Sequence, residues 1–371
     1  MKTRLLCRLA TSLLLLPMLA GCAPAAHDAA ASATTTGVVR ARLQTQATAS
    51  GKTDFSVLVA AATSSAAPHL VATAALGGLE VYGLDGKRRA SVPAGEAAGV
   101  AVSYGFPLAG KPTTVLAALD ATHNSLRLFT MDGATPVEAG ARAIPLGFAV
   151  EGVCLFRYRL DGALYAVVVG DAGEVDQQMI YATTDGKLDA RQVRRINLPS
   201  KLKQCSADRD GNLYVAEQAV GIWRLNGDPE ADLSATLVDA PRLGHLGKKV
   251  EGVALYDGGK GSQWLLAADT SKGRINVYDR ADHDAWLGSF GVTTADQGKA
   301  VGEPGPLFAT SAAVDDTFPH GMLLISDEDG GANHQAVSMA DVAHALGRPA
   351  GTPQDPRAQE PPPLPTVTAL V

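Results

Sequence analysis

Apolar and polar positions along residues 69–87, HLVATAALGGLEVYGLDGK, set a template that recurs through the chain. An apolar run from Leu70 to Ala75 meets the break Gly77-Gly78. Leu79-Glu80-Val81-Tyr82 then alternates, and Asp85-Gly86 closes a turn. Period-2 alternation bounded by glycines predicts two antiparallel strands joined as a hairpin. Five further stretches repeat it: 115–133, 164–187, 212–227, 264–280 and 322–339. The turn positions Gly86, Gly133, Gly186, Gly227 and Arg280 mark the period. A second repeat lies between the hairpins, as AGVAVSY (98–104), EGVCLFR (151–157), QCSADRDG (204–211) and EGVALYD (251–257). Periods of about 40–50 residues made of short strands mark a propeller. Six hairpins predict an all-β fold, a six-bladed β-propeller. A single blade cannot bury both its faces, so neighbouring blades must supply the core.

Composition supports a globular body with tightly stacked sheets. Hydrophobic residues make up 46% of the 371 positions and aromatics only 5%, so small side chains dominate the predicted sheets. Lys and Arg number 32 against 38 Asp and Glu. An acidic balance disfavours nucleic acid as a partner but leaves room for an anionic ligand in a local basic pocket.

The ends of the chain read differently from its body. Residues 1–22 carry Lys2, Arg4 and Arg8, an apolar run, and small residues before a Cys, the pattern of a secretory signal. Leu19-Ala20-Gly21-Cys22 resembles the bacterial lipoprotein box, which implies acylation of Cys22 and a lipid anchor at the cell envelope. Ala23 after that Cys implies, by the same resemblance to lipoproteins, the outer rather than the inner membrane. Residues 23–50, rich in Ala, Thr and Ser, read as a flexible tether. Residues 51–347 form the propeller, expected to be a monomer, and 348–371, with PPPLP at 361–365, a Pro-rich extended tail.

Of the four Cys, only Cys154 and Cys205 fall in the body, at equivalent places in adjacent repeats. Export permits a disulfide between them. Two buried thiols one blade apart are the simpler reading, because bridging needs Cα atoms within ~7 Å. No spacing suits zinc. Gly-x-Ser-x-Gly, Walker and His-Glu-x-x-His motifs are absent from the sequence. Propellers work through loops drawn from many blades, so local motifs decide little.

GGLEVYGLDGK (77–87), YGFPLAGKP (104–112), AVVVGDAGE (166–174), SADRDGNLYVAEQAVGIWRL (206–225), VEGVALY (250–256) and HGMLLISDEDG (320–330) occur in the order found in β-propeller phytases, which this chain resembles over residues 53–347. VSMADVAHALG (337–347) is similar to that family's closing segment. The resemblance implies a 3-phytase type of activity, calcium-dependent removal of phosphate from inositol hexakisphosphate. Carboxylates at one channel mouth would hold the calcium, with cations beside them for the phosphates.

Matched residue by residue, much of that equipment is replaced. Asp54 survives from the family's opening acids. Glu151 stands where the family has a phosphate-binding Tyr, and Asp171 stands at a Lys. Lys203 and Gln218 stand at acids. In the Asp-x-Glu-Gly pair Lys249 takes the place of the Asp, and Glu251 remains. Asp327 aligns with the acid of the last calcium loop, and Asp329 follows it. The candidates are therefore Glu251 and Glu151 for catalysis, and Asp54, Glu251, Asp327 and Asp329 for calcium, more in a structural than a catalytic role. Lys203 and Lys249, with Lys201 and Lys248, are candidates for an anion such as an inositol phosphate. Lysines at carboxylate positions repel a dication, so the expectation is a divergent or impaired phytase-family lipoprotein. An alternative is a scaffold propeller that docks proteins at the envelope. A lactonase-like metal centre from Asp54, Glu151, Glu251 and Asp327 is a third reading. Asp208-Arg209-Asp210-Gly211 reads as a tight turn, and Arg88-Arg89 and Arg194-Arg195 as solvated strand ends.

Overall fold

In the computed structural model, residues 36–61, 66–74, 77–327 and 331–358 are described. They form six small, mainly antiparallel sheets with one short α-helix, Met339–Ala345, which is the six-bladed propeller. Each predicted hairpin is the middle pair of a blade. They are His69–Ala74 with Gly78–Tyr82, Lys111–Asp120 with Ser125–Thr130, Leu164–Gly170 with Glu174–Ala182, Asn212–Glu217 with Gly221–Asn226, Gln263–Asp269 with Arg274–Asp279, and Met322–Asp327 with Asn333–Ser338. The second repeat supplies inner strands, Ala97–Leu108, Val150–Arg157, Leu202–Ala207 and Val250–Asp257; Thr53–Val59 and Pro304–Thr310 complete the ring.

The core lies between blades. Cys154, Phe156, Val167 and Val169 of blade 3 pack against Leu213, Val215 and Leu225 of blade 4. Both faces of a second strand are covered in this way, so Leu164–Gly170 is buried along its whole length and reads as a continuous apolar run rather than an alternation. Each such Val or Leu contributes roughly 1.5–3 kcal/mol of burial.

Several expectations change on contact with the structure. Cys154 and Cys205 form a disulfide, with Cα atoms 5.6 Å apart, in place of two thiols. Equivalent positions on adjacent inner strands come within bridging range because the strands converge on the channel. Residues 36–44, placed in the flexible tether, form strands. Thr36–Arg40 pairs in parallel with Ala285–Thr293 of blade 5, and Leu43–Gln44 pairs with Asn333–Ser338 as the outer strand of blade 6. Val39, Ala41 and Leu43 alternate inward and are buried, which holds this segment to the body. The first part of the tail is held too, by Thr352 N to Gly258 O at 2.7 Å and by Arg357 Nη2 to Ala60 O at 2.6 Å. Arg88 and Arg195 are more than solvated ends: they neutralise the buried carboxylates of Glu80 and Asp176 at 3.1 Å and 2.6 Å. Residues 1–22, Asp329 and the PPPLP run lie outside the described residues.

Candidate functional site

One device recurs at the start of every inner strand. Its pairing slips by one residue, between Thr53 and Ser56, Ala97 and Gly99, Val150 and Gly152, Leu202 and Gln204, Val250 and Gly252, and Pro304 and Leu307. A bulge leaves an extra residue out of the ladder and re-aims it. Among the residues so released are Asp54, Glu151, Lys203 and Glu251. The glycines beside the bulges are required by close approach. A Cβ on Gly152 would lie 2.5 Å from Lys203 O, and one on Gly252 2.5 Å from Gly305 O. The Glu-Gly-Val repeat therefore records both the bulge and the contact between neighbouring inner strands.

The bulged residues of blades 3, 4 and 5 meet in one charge network. Lys201 Nζ bonds Glu151 Oε1 at 2.5 Å and Asp171 Oδ1 at 2.9 Å, and Lys203 Nζ bonds Glu151 Oε2 at 2.9 Å. Lys249 Nζ lies 2.7 Å from Glu251 Oε1, which also accepts Gln218 Nε2 at 2.7 Å. Burial pushes the Glu251 carboxyl up. The Lys249 bond, the charge of Lys203 and the Gln218 amide outweigh it and hold the group below its ordinary range. Burial likewise works against the Lys201 ammonium, but its bonds to Asp171 and Glu151 leave it raised. Thus Lys203 and Lys249, paired as an anion site from sequence, are linked through Glu251. Glu151 and Glu251, read as catalytic, each hold an ammonium.

This donor set does not fit calcium. A hard dication needs several oxygen ligands, and here both oxygens of Glu151 face lysine ammonium groups. Asp327 ends the second strand of blade 6, 1% exposed, at the same end of the propeller, and Asp54 is half-buried on blade 1. Among the described residues, no three acidic, His or Cys side chains converge as a metal-ligand group. Asp208 closes the predicted turn by accepting the Asp210 and Asn212 amides at 3.0 Å and 2.9 Å.

Sequence reasoning missed Gln204. It takes the position that glycine holds in the repeats at Gly99, Gly152 and Gly252, and its buried amide reaches the inner strands of the next two blades. Nε2 donates to Leu307 O at 2.6 Å, while Oε1 accepts Val253 N and Leu307 N, both at 2.9 Å. Three blades are thereby stitched together below the lysine–glutamate mouth. The departure from Gly was the available signal.

A family model described as Phytase matches residues 2–345. The 3-phytase of Bacillus subtilis (strain 168) is 27% identical over 277 residues, which span 72% of this chain and 72% of that protein. Among solved structures, the β-propeller domain of Myceliophteria thermophila Cps50 (Swd1) overlays with a TM-score of 0.47 at 11% identity, covering 80% of this chain and 99% of that one. With the family match running across all six blades, the chain belongs to the phytase family, as a six-bladed β-propeller.

Proposed function

We propose that this phytase-family propeller binds inositol phosphates at the mouth framed by Lys201, Lys203 and Lys249, and that calcium-driven hydrolysis there is lost or strongly reduced. The observation that carries this reading is the pair of ammonium groups on Glu151, at 2.5 and 2.9 Å, where the family pattern calls for metal and phosphate ligands. An ammonium has three N–H donors, so Lys203 can serve Glu151 and a phosphate oxygen together. The network is close to neutral by itself. Binding therefore draws on shared donors rather than a large field, which predicts modest, salt-sensitive affinity.

Calorimetry with inositol hexakisphosphate in chelator is expected to show binding that weakens at least tenfold in the Lys203→Glu, Lys249→Glu double variant. Phosphate release from the same compound is expected to be no faster with calcium than with chelator. Calcium-dependent turnover would overturn the loss of hydrolysis, and unchanged affinity in the double variant would remove the lysines from the site.

A second reading, a scaffold for a protein partner, draws support from the outer edge of blade 4. Leu233, Leu237 and Leu243 are 59%, 40% and 93% exposed around the edge strand Ala235–Asp239. It predicts partner capture that survives chelation and is lost in Leu237→Glu. We further propose lipid anchoring through Cys22 to the outer membrane, which the Leu19–Cys22 pattern supports. Mass spectrometry of the mature N-terminus is expected to find an acylated Cys, and an unmodified residue there would reject it.

A further inference from the structure

The family match ends at residue 345, yet the chain just beyond it is held to the body. Residues 351–357 cross the end of the propeller opposite the lysine–glutamate mouth, where the inner strands finish. Three of those strands stop at Asp257, Thr310 and Val59, in blades 5, 6 and 1. The next residue of each offers its main-chain carbonyl to the tail, in order around the ring. Thr352 N donates to Gly258 O at 2.7 Å, Gln354 N to Ser311 O at 3.3 Å, and Arg357 Nη2 to Ala60 O at 2.6 Å. Main-chain groups past the end of a ladder need partners. The tail supplies them across the seam between blades 6 and 1.

Both ends of this segment sit in fitted seats. Gly351 is buried against blade 5, where a Cβ on it would lie 2.5 Å from Tyr256 Oη and 2.7 Å from Gly258 Cα. Only glycine permits that approach. The Gly351 carbonyl accepts His320 Nδ1 at 2.7 Å. At the other end, the Arg357 guanidinium lies 4.9 Å from the centre of the Tyr104 ring and donates Nη1 to Thr114 Oγ1 at 3.1 Å. Tyr104 is 7% exposed and fixed from behind: its hydroxyl donates to Leu58 O at 3.1 Å and accepts Ala60 N at 2.9 Å. Between the seats, residues 352–355 are exposed.

The sequence shapes the segment for this path. Pro353 and Pro356 fix φ and reduce the freedom lost on docking. Asp355-Pro356-Arg357-Ala358 has Asp first and Pro second, the order that favours a β-turn. The turn forms: Asp355 O accepts Ala358 N at 3.1 Å, and Asp355 Oδ1 accepts Arg357 N at 2.9 Å. It aims the arginine at its seat.

We propose that this face is a docking site for an extended, arginine-bearing peptide, and that residues 351–357 are its built-in occupant, latching the ring from blade 5 to blade 2. The guanidinium is the anchor, a planar cation on an aromatic face with a carbonyl and a hydroxyl at its edge. A tethered occupant has an effective concentration on the order of millimolar, so it keeps a like peptide out until its own anchor is lost. The site is separate from the lysine–glutamate mouth and does not depend on the inositol phosphate reading.

Hydrogen exchange of the full-length protein tests the latch, and fluorescence anisotropy of a labelled peptide of residues 350–360 tests the site. In Arg357→Ala the Thr352 and Gln354 amides are expected to exchange at least tenfold faster, while the buried strand Leu164–Gly170 keeps its protection. The labelled peptide is expected to bind Arg357→Ala saturably, one to one, and at least tenfold more tightly than the wild type, whose site is filled. The same peptide carrying Arg357→Ala should lose that binding. If the Arg357→Ala protein does not fold, Arg357→Lys, which keeps the charge and loses the fork, is read in the same way with changes of about threefold. Unchanged exchange of both amides in the folded variant overturns the latch. Peptide binding that is absent, or equal in the two proteins, overturns the docking site.

Discussion

At one mouth of the channel, Glu151 carries two ammonium groups; at the other, Arg157 is carried by two carbonyl oxygens. Both mouths are built from opposite ends of the same six inner strands, so strand geometry does not distinguish them. The difference lies in what answers each charge. Bulges release side chains of both signs close together, and they cancel. At the other end main-chain carbonyls help to orient Arg157, beside the ion pairs Arg280–Asp208 and Arg159–Asp210, which tie each cation to one carboxylate. A cluster of charged residues is therefore no measure of how strongly a site attracts its ligand; the partners already present decide.

The largest test of this contrast is aimed between the mouths. The Cys154–Cys205 bond joins blades 3 and 4, which supply Glu151 and Lys203 at one end and Arg157 and Asp208 at the other. Its ends are 51 residues apart, for which loop-closure entropy predicts a loss of about 4 kcal/mol in Cys154→Ser, Cys205→Ser. Urea unfolding measures it. A loss under about 1 kcal/mol would mean that packing alone fixes the two blades.

Gln204→Ala comes next. It strands two buried amide donors and one carbonyl acceptor, so about 3 kcal/mol is expected in the same measurement. A near-zero change would show that water replaces the amide. Glu251→Gln is smaller, about 2 kcal/mol, because a nearly buried partner of Lys249 loses its charge while the amide still accepts a bond. Arg159→Ala, at an exposed pair, should cost less than about 0.5 kcal/mol. Equal effects from these two would erase the distinction between the mouths.

Acid and base sharpen the contrast further. Glu251 is held below its ordinary 4.5, so its stabilisation is complete above that pH and is lost as pH falls through the folded value. Lys201 is held above its ordinary 10.5, so its contribution is complete below that pH and is lost as pH rises through the folded value. Unfolding midpoints measured from pH 3 to 11 should therefore fall at both extremes, and less so at each end in Glu251→Gln and Lys201→Met respectively. A profile unchanged by either variant would sink the assignment.

The hairpins and inner strands were legible because each is a local pattern repeated around the ring. Val39, Ala41 and Leu43 also alternate, yet within an Ala- and Thr-rich segment whose partners lie far along the chain, so they read as tether. The disulfide was hidden for a related reason: sequence shows equivalent positions but not how closely the inner strands converge. At the site, Lys203 and Lys249 were found as departures from a family pattern. Their pairing with Glu151 and Glu251 depends on bulges, which no single residue announces. At the opposite mouth, Asp208, Arg209 and Asp210 belong to the turn read in the sequence, whereas Arg157 and Arg280 come from separate blades and carried no motif.

The closure of blade 6 by a strand from the start of the body has a consequence for the order in which the protein is made. His334 N bonds Thr45 Oγ1 across 289 residues, and Leu43 pairs with Ala336. The earliest strands thus wait until almost the whole body has been synthesised before they meet their partners, and long-range closure of this kind is slow. A chain that stops short of Asn333–Ser338 leaves Leu43–Gln44 without its partner and Met322–Asp327 with an open edge, the features proteases and aggregates exploit. Ring closure acts as a test of completeness: only a finished chain can hide its own beginning.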